Sequence, residues 1–120
     1  IADLGVTMLA AGIGNIHGKY PENWKGLSFE TLEGIHNACS GKPLVLHGGS
    51  GLSDDDFKQA VAKGISKINI FPDLNVACVK AAHDAYAEGI GMTDVMGAMS
   101  EAVKQATMKQ MLLFGSNGRA

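Results

Sequence analysis

The feature that most constrains the fold of this chain is the alternation of short apolar runs with helical patterns. Apolar runs at residues 7–14, 44–46 and 66–71 each lead into a segment whose apolar residues recur with a helical period. Short continuous apolar runs are typical of strands buried on both faces of a parallel sheet, and the intervening helices complete βαβ units. The sequence therefore predicts an α/β fold with about three parallel strands, their helices and a further C-terminal helix.

Capping residues predict four helices. Ser28 is expected to cap the first helix, and Ser53 with Asp56 forms a capping-box pattern at the start of the second. Asp73 is expected to cap the third helix, which is longer than the first two. The remaining expected boundaries are Cys39 and Gly64 at the ends of the first two helices, Gly89 and Gly91 at the end of the third, and Thr93 or Asp94 at the start of the fourth.

The chain is predicted to be part of a larger domain. Three parallel strands are too few to close a sheet, and their edges would be exposed. The 120 residues are about half of a (β/α)₈ barrel of roughly 250 residues. Residues 1–6 look like the end of a helix, with Gly5 as its C-cap glycine. We expect residues 1–120 to form a single partial domain whose other strands lie N-terminal, in upstream sequence or in another chain.

Composition excludes several classes of partner. The formal net charge is −2, so no chain-wide basic field would hold nucleic acid or an anionic membrane. No apolar run reaches the 18 residues that a membrane-spanning helix needs. The two cysteines, Cys39 and Cys78, lie far apart in helical patterns and are predicted to be reduced and buried. A cytoplasmic protein with no nucleic-acid or membrane partner is the expectation.

An apolar-His-Gly step occurs twice, at residues 16–18 and 46–48, each time after an apolar run. The two steps are about one βα repeat apart, so both imidazoles are expected at the C-terminal edge of the sheet, where α/β proteins build active sites. Two neutral imidazoles there would suit zinc, whose catalytic sites ordinarily have three protein ligands. The alternative is that each is a hydrogen-bonded rim residue. His36 and His83 lie in helical patterns and are expected to be solvated or packed.

A glycine-rich segment, Gly48-Gly49-Ser50-Gly51, lies between the second apolar run and a capped helix. Glycines let backbone N–H groups approach a phosphate closely, and the helix N-terminus would favour the same anion. The alternative is an ordinary tight turn. The acids at 54–56 are expected to cap the helix rather than to bind a ligand.

Two other features leave alternatives open. Asn69, flanked by Ile68 and Ile70 in the third predicted strand, must find polar partners, either across a barrel interior or in a substrate. The methionine stripe of the last helix is interpreted as packing or as cover for an oligomer surface; its members are Met92, Met96 and Met99.

Three segments of the sequence resemble consecutive signatures of the class II fructose- and tagatose-bisphosphate aldolases. These are Gly-Asn-Ile-His-Gly-Lys-Tyr at 14–20, Leu-His-Gly-Gly-Ser-Gly-Leu at 46–52 and Lys-Ile-Asn-Ile at 67–70. The ending at 114–120 also looks like the C-terminus of the tagatose-type subfamily. The resemblance covers nearly the whole chain.

The resemblance implies the C-terminal part of a (β/α)₈ TIM barrel, with roughly its last three strands. It implies that His17 and His47 bind Zn²⁺, that Asn69 contacts the substrate, and that a monovalent cation, Na⁺ or K⁺, lies near the glycine loop. The residues implied to hold the substrate phosphate are Gly18, Gly48, Gly49 and Ser50.

The implied reaction is reversible aldol cleavage of fructose or tagatose 1,6-bisphosphate to dihydroxyacetone phosphate and glyceraldehyde 3-phosphate, a lyase step of glycolysis and related carbohydrate metabolism. Zinc would act as a Lewis acid that polarises the ketone and stabilises the enediolate. The full-length protein is expected to be a homo-oligomer, a dimer or a tetramer.

The chain departs from the family pattern at two places. The family has an Asp-His step that supplies the acid–base aspartate and a third zinc ligand, and no such step occurs here. The chain alone is therefore expected to be inactive. Phe71-Pro72 stand where the family usually has a threonine-containing step, so weaker phosphate binding or a different substrate is expected. A non-catalytic sugar-phosphate-binding domain and another metal-dependent barrel enzyme are the alternatives.

Overall fold

A computed structural model describes residues 5–119. The predicted helix tail falls mostly on residues 1–4, which lie outside the described residues, whereas Gly5 has the positive φ of a C-cap glycine, 72°. The chain divides into two units, one up to Ile70 and one from Phe71 onward.

The first unit contains two helices and two strands. In chain order these are α1 (Phe29–Ala38), β1 (Leu44–Leu46), α2 (Asp54–Ala62) and β2 (Ile65–Ile68). Both predicted caps are confirmed: the Ser28 side chain accepts from Thr31 N–H at the start of α1, and Ser53 and Asp56 form a reciprocal capping box at α2. Local side-chain chemistry therefore determines where both helices begin.

The strands β1 and β2 pair in parallel, with Leu46 opposite Ile68 and an irregular register between Leu44 and Val45. The prediction of a full strand at residues 7–14 is wrong for the described chain, because only Leu9 is bridged, in parallel, to Leu44. Leu9 N–H donates to Pro43 O at 3.0 Å, and Val45 N–H donates to Leu9 O at 2.9 Å. A single bridge still fixes the 7–14 segment beside β1.

Asn69 does not lie inside the third predicted strand. The strand β2 begins at Ile65, one residue earlier than predicted, and ends at Ile68, so Asn69 follows it directly. Its N–H still donates to Leu46 O at 3.1 Å, which extends the pairing by one hydrogen bond. Asn69 therefore stands at the carboxyl end of the sheet, level with the residue that follows β1.

The core of the first unit is built on β1, whose three residues are all buried, as predicted for a strand covered on both faces. Leu46 is 0% exposed. Helices α1 and α2 contribute buried apolar side chains from one face each, which are Leu32, Phe57 and Ala60. Cys39 is buried and free, as predicted.

The second unit consists of α3 (Pro72–Ala85) and α4 (Met92–Leu113), which pack against each other. Asp73 is not the cap of α3: the helix begins at Pro72, because proline's fixed φ suits the first helical position, and Phe71 is the N-cap residue without a side-chain bond. The helix ends at Ala85, before the glycines expected to break it, and α4 begins at Met92, one residue early.

The methionine stripe of α4 is not a packed core stripe within this unit, because Met92 is 74% and Met96 60% exposed. Cys78, on α3, is half-buried rather than buried. Although α4 has 22 residues, none of the helices in the described part of the chain combines the length and apolarity needed to cross a membrane.

Replacing Leu46 by alanine is expected to lower the free energy of unfolding of the chain by about 2–5 kcal/mol, because it leaves a cavity in the core at the end of β1. Urea unfolding followed by circular dichroism measures the change. Leu112, 64% exposed, offers a matched leucine-to-alanine control with an expected loss below about 1 kcal/mol. Equal losses for the two variants would contradict the placement of the core at β1.

Candidate metal and phosphate site

The two histidines of the repeated His-Gly step lie side by side in the first unit. The ring centres of His17 and His47 are 5.6 Å apart, and the ring planes are inclined by 55°. His47 follows β1 directly and is half-buried, whereas His17 lies in the loop before α1 and is exposed. Parallel pairing of the chain segments that precede them brings two side chains that are distant in sequence to one edge of the sheet.

The separation of the rings fits a shared zinc ion. Two imidazoles bound to one tetrahedral zinc at about 2.0–2.1 Å place their ring centres roughly 5 Å apart. The observed 5.6 Å is close to that value, and one ring is open to solvent. Among residues 5–119, no set of three or more histidine, cysteine or acidic side chains is grouped to hold a metal ion. The described chain thus offers two imidazoles for a metal.

Asn69 contacts the imidazole of His47. Its amide Nδ2 lies 3.2 Å from both Nδ1 and Nε2 of that ring. Its amide oxygen accepts a hydrogen bond from the ammonium group of Lys67. A neutral imidazole has one acceptor nitrogen, and the amide N–H groups can bind only that one, so this contact uses the lone pair that a metal would take.

Asn15 holds the backbone at His47. Its Nδ2 donates to His47 O at 3.0 Å, and its Oδ1 accepts from Ile13 N–H at 2.9 Å. The side chain therefore links the loop that carries His17 to the residue that carries the other imidazole. Asn15 was not singled out from the sequence as a site residue, although it lies inside the first signature segment.

The backbone at Gly48 lies against the loop that carries His17. Gly48 has φ of 66°, and a Cβ built on it would stand 2.1 Å from Ile16 O and 3.3 Å from His17 N. No side chain fits there, and the left-handed conformation also favours glycine. Gly18, with φ of 95°, has nothing within 4 Å of its Cβ position. Glycine is thus required by space at Gly48 and by conformation alone at Gly18.

The glycine loop, residues 48–51, turns tightly between β1 and α2. Leu52 N–H donates to Gly49 O at 3.1 Å, and Gly49 is buried, with its Cβ position 3.1 Å from the Phe57 ring. Ser50 is half-buried, and the loop leads into the N-terminus of α2. The first-turn acid Asp56 is committed to the capping box, as predicted. The loop has no cationic side chain, so an anion bound here would rely on backbone donors and the helix dipole.

Tyr20 lies in the loop that carries His17 and contacts the glycine loop at residues 48–51. Its hydroxyl donates to Gly48 O at 2.8 Å, and its ring lies 3.3 Å from the Cβ position of Gly51. Its ring centre is 4.2 Å from that of Trp24, whose Nε1 donates to Gly14 O at 2.8 Å. Sequence reasoning also missed Tyr20, and its place in the 14–20 segment is the only signal that could have indicated it.

The other two histidines lie in helices, as predicted. His36, on α1, is exposed and packs against Gly64, where a Cβ would stand 2.3 Å from its Nδ1. His83, on α3, is exposed and lies 3.4 Å from the Asp84 carboxylate.

Comparison with known proteins places this arrangement in a family. Residues 1–119 match the model of the family described as fructose-bisphosphate aldolase class-II. A fructose-bisphosphate aldolase of Mycoplasma pneumoniae is 41% identical over 129 aligned positions, and one of Streptococcus pyogenes is 38% identical over 132. All of this chain is covered, but only 44% and 45% of those relatives. The chain therefore spans a little under half the length of the curated relatives that it matches.

Solved structures agree with the family match. The YdjI aldolase of Escherichia coli K12 is 36% identical, with a TM-score of 0.83 over 97% of this chain and 41% of that structure. A putative fructose-1,6-biphosphate aldolase of Coccidioides immitis is 28% identical, with a TM-score of 0.86 over 96% of this chain and 40% of that structure.

These likenesses define the chain as part of an α/β barrel, and they confirm the predicted fold class. The chain belongs to the class II fructose-bisphosphate aldolase family. The resemblance inferred from the three signature segments is thereby confirmed.

Replacing Gly48 by alanine is expected to destabilise the chain more than replacing Gly18. Both variants place alanine at positive φ, which costs about 1–2 kcal/mol, but only Gly48→Ala also forces a Cβ against a backbone carbonyl. The expected loss is about 1 kcal/mol for Gly18→Ala and above about 3 kcal/mol for Gly48→Ala. Urea unfolding measures both, and equal losses would rule out the close approach at Ile16 O.

Burial raises the pKa of the Tyr20 phenol above the ordinary value of 10.0; the nearby Asp56 carboxylate raises it further, while a backbone hydrogen bond from Ile16 opposes the shift. The stability that this phenol contributes is present below pH 10.0 and is lost as the pH rises through its folded value. Subtracting the ultraviolet titration of Tyr20→Phe from that of the parent chain isolates this phenol. Its midpoint is expected above 10.0, and a midpoint at or below that value would contradict its burial.

Proposed function

We propose that this chain is the C-terminal part of a zinc-dependent lyase of carbohydrate metabolism that reversibly cleaves a ketose 1,6-bisphosphate. The products are dihydroxyacetone phosphate and glyceraldehyde 3-phosphate. The observation that carries the proposal is the His17–His47 pair, with ring centres 5.6 Å apart, beside the glycine loop of a chain that belongs to this family.

In this proposal His17 and His47 hold the zinc ion, which when bound supplies a Lewis acid for the substrate ketone. When the zinc takes the His47 lone pair, the Asn69 amide is released and offers an N–H to a substrate oxygen. The residues that hold the phosphate of dihydroxyacetone phosphate are Gly18, Gly48, Gly49 and Ser50. Gly48, Gly49 and Ser50 lie in the loop before the positive end of α2, and their backbone N–H groups and the Ser50 hydroxyl are neutral donors. Gly18 adds a backbone N–H from the loop that carries His17.

Several parts of the machinery lie outside this chain in the proposal. An acid–base aspartate and a third zinc ligand come from upstream, so residues 1–120 are a single partial domain that is inactive alone. A monovalent cation, Na⁺ or K⁺, binds near the glycine loop. The full-length enzyme is a cytoplasmic homo-oligomer, a dimer or a tetramer.

An assay with both bisphosphates decides which of the two epimeric substrates the enzyme prefers. The relatives from Mycoplasma pneumoniae and Streptococcus pyogenes are named for fructose bisphosphate, whereas the ending at 114–120 resembles the tagatose-type subfamily. Cleavage of both bisphosphates by the full-length protein, coupled to the reduction of dihydroxyacetone phosphate, ranks them by kcat/KM.

Removing the metal or one of its proposed ligands tests the mechanism. Chelation is expected to abolish cleavage by the full-length enzyme, and added zinc is expected to restore it. His47→Ala is expected to lower bound zinc and turnover by at least about 100-fold, because an inner ligand matters at least as much as the groups that orient it. Metal content is measured by atomic emission alongside turnover.

His83→Ala is the matched control, because His83 is exposed on α3. It should leave zinc content and turnover unchanged. Activity that survives chelation would refute the zinc mechanism, and unchanged zinc in His47→Ala would refute the ligand assignment. Phosphate binding without any cleavage by the full-length protein would favour a non-catalytic sugar-phosphate-binding domain.

A further inference from the structure

The glycine loop is held from outside by a side chain to which the proposed function gives no role. Tyr20 donates its hydroxyl hydrogen to Gly48 O at 2.8 Å across 28 positions of sequence. The acceptor belongs to the same peptide unit as the N–H of Gly49. Because that unit is planar and trans, its C=O and N–H point in opposite directions. Fixing the carbonyl of Gly48 therefore fixes the direction in which the Gly49 N–H points.

The N–H groups of the glycine loop are hydrogen-bond donors that the described residues leave unused. Within residues 5–119, the N–H groups of Gly49, Ser50 and Gly51 donate to no other residue, whereas Leu52 N–H closes the turn onto Gly49 O at 3.1 Å. Unpartnered N–H groups at a loop before a helix N-terminus are suited to a phosphate. A glycine-rich peptide would otherwise rotate easily, so external restraint matters most here.

Tyr20 is itself well restrained. Its ring lies 3.3 Å from the Cβ position of Gly51 and packs on Trp24, whose indole is anchored to Gly14 O at 2.8 Å. One side chain therefore contacts both ends of the loop, through its hydroxyl at Gly48 and through its ring at Gly51. The phenol, whose ordinary pKa of 10.0 is raised further by burial, is protonated and able to donate at neutral pH.

We propose that Tyr20 is a positioning residue for the substrate phosphate: its hydroxyl holds the carbonyl of Gly48 so that the Gly49 N–H faces the phosphate. The inference rests on the phosphate-binding role of the loop in the proposed function, and it adds the residue that shapes the loop. Tyr20 acts through the backbone and does not contact the reacting atoms.

Tyr20→Phe in the full-length enzyme removes the hydroxyl and keeps the ring. The KM for the bisphosphate is expected to rise about 3- to 10-fold, the effect of losing one hydrogen bond, while kcat changes less than about 2-fold and zinc content is unchanged. A general structural defect would lower kcat and zinc content as well. An unchanged KM, or a parallel fall in kcat and zinc content, would overturn the proposal.

Tyr86→Phe is the matched control, because it removes the same hydroxyl group from a tyrosine that is 78% exposed at the end of α3 and has no place in the proposed site. Its KM is expected to match that of the parent enzyme. A rise equal to that of Tyr20→Phe would show that the contact between Tyr20 and Gly48 is not what changes KM, and would overturn the proposal.

A binding measurement separates this proposal from the aldolase assignment. Inorganic phosphate is titrated into the full-length parent protein and into its Tyr20→Phe variant, and binding is followed by isothermal titration calorimetry. Weaker phosphate binding in the variant supports Tyr20 even if the full-length protein cleaves neither bisphosphate. Equal binding, or no binding by either protein, overturns the role of Tyr20 whatever the enzyme assay shows.

Discussion

The close approach of two backbones, at Gly48 and Ile16, is the constraint on which the candidate site depends. A Cβ at residue 48 would stand 2.1 Å from Ile16 O, so the two loops lie together only because that residue is glycine. The Asn15 side chain secures the same junction through His47 O at 3.0 Å. With the loops in contact, the two imidazoles cannot be far apart. The pairing of the histidines is thus a result of backbone geometry before it is a result of side-chain chemistry.

The glycine loop presents backbone donors, and no cationic side chain, in a chain whose net charge is negative. The first turn of α2 carries three acids, at 54–56, and Asp56 is held back in the capping box. What remains in front of the helix is a set of neutral backbone donors on a buried support, since Gly49 packs against Phe57. Such donors act at short range and in fixed directions, so the shape of the loop matters more than the local charge.

Much of the fold of the first unit could be predicted from the sequence, because its determinants are local. Ser28 and the pair Ser53 and Asp56 cap helices through atoms three residues apart, and the three-residue run at 44–46 is apolar throughout. The start of α3 was misplaced because Asp73 is a good capping residue, yet the fixed φ of Pro72 suits the position before it. The strand at 7–14 was over-extended because apolarity indicates burial without specifying how many residues pair.

The candidate site was predictable only in part. The histidines, the glycines and Asn69 were identified by their position after apolar runs and by family resemblance. Asn15 and Tyr20 were missed because each acts on the backbone of a residue 32 or 28 positions away, and no periodic pattern encodes such a bond. The geometry of the imidazole pair could also not be derived, since it depends on the contact at Gly48.

The Lys67 ammonium gives the Asn69 amide a fixed polarity. A free asparagine presents either an oxygen or an N–H to its surroundings by turning about its last bond, but here the oxygen accepts from a cation and the nitrogen faces the His47 ring. Turning the amide over would put its N–H groups against the ammonium. On the side of His47 the Asn69 amide therefore presents only N–H groups. A group placed there can bind the amide only as a hydrogen-bond acceptor.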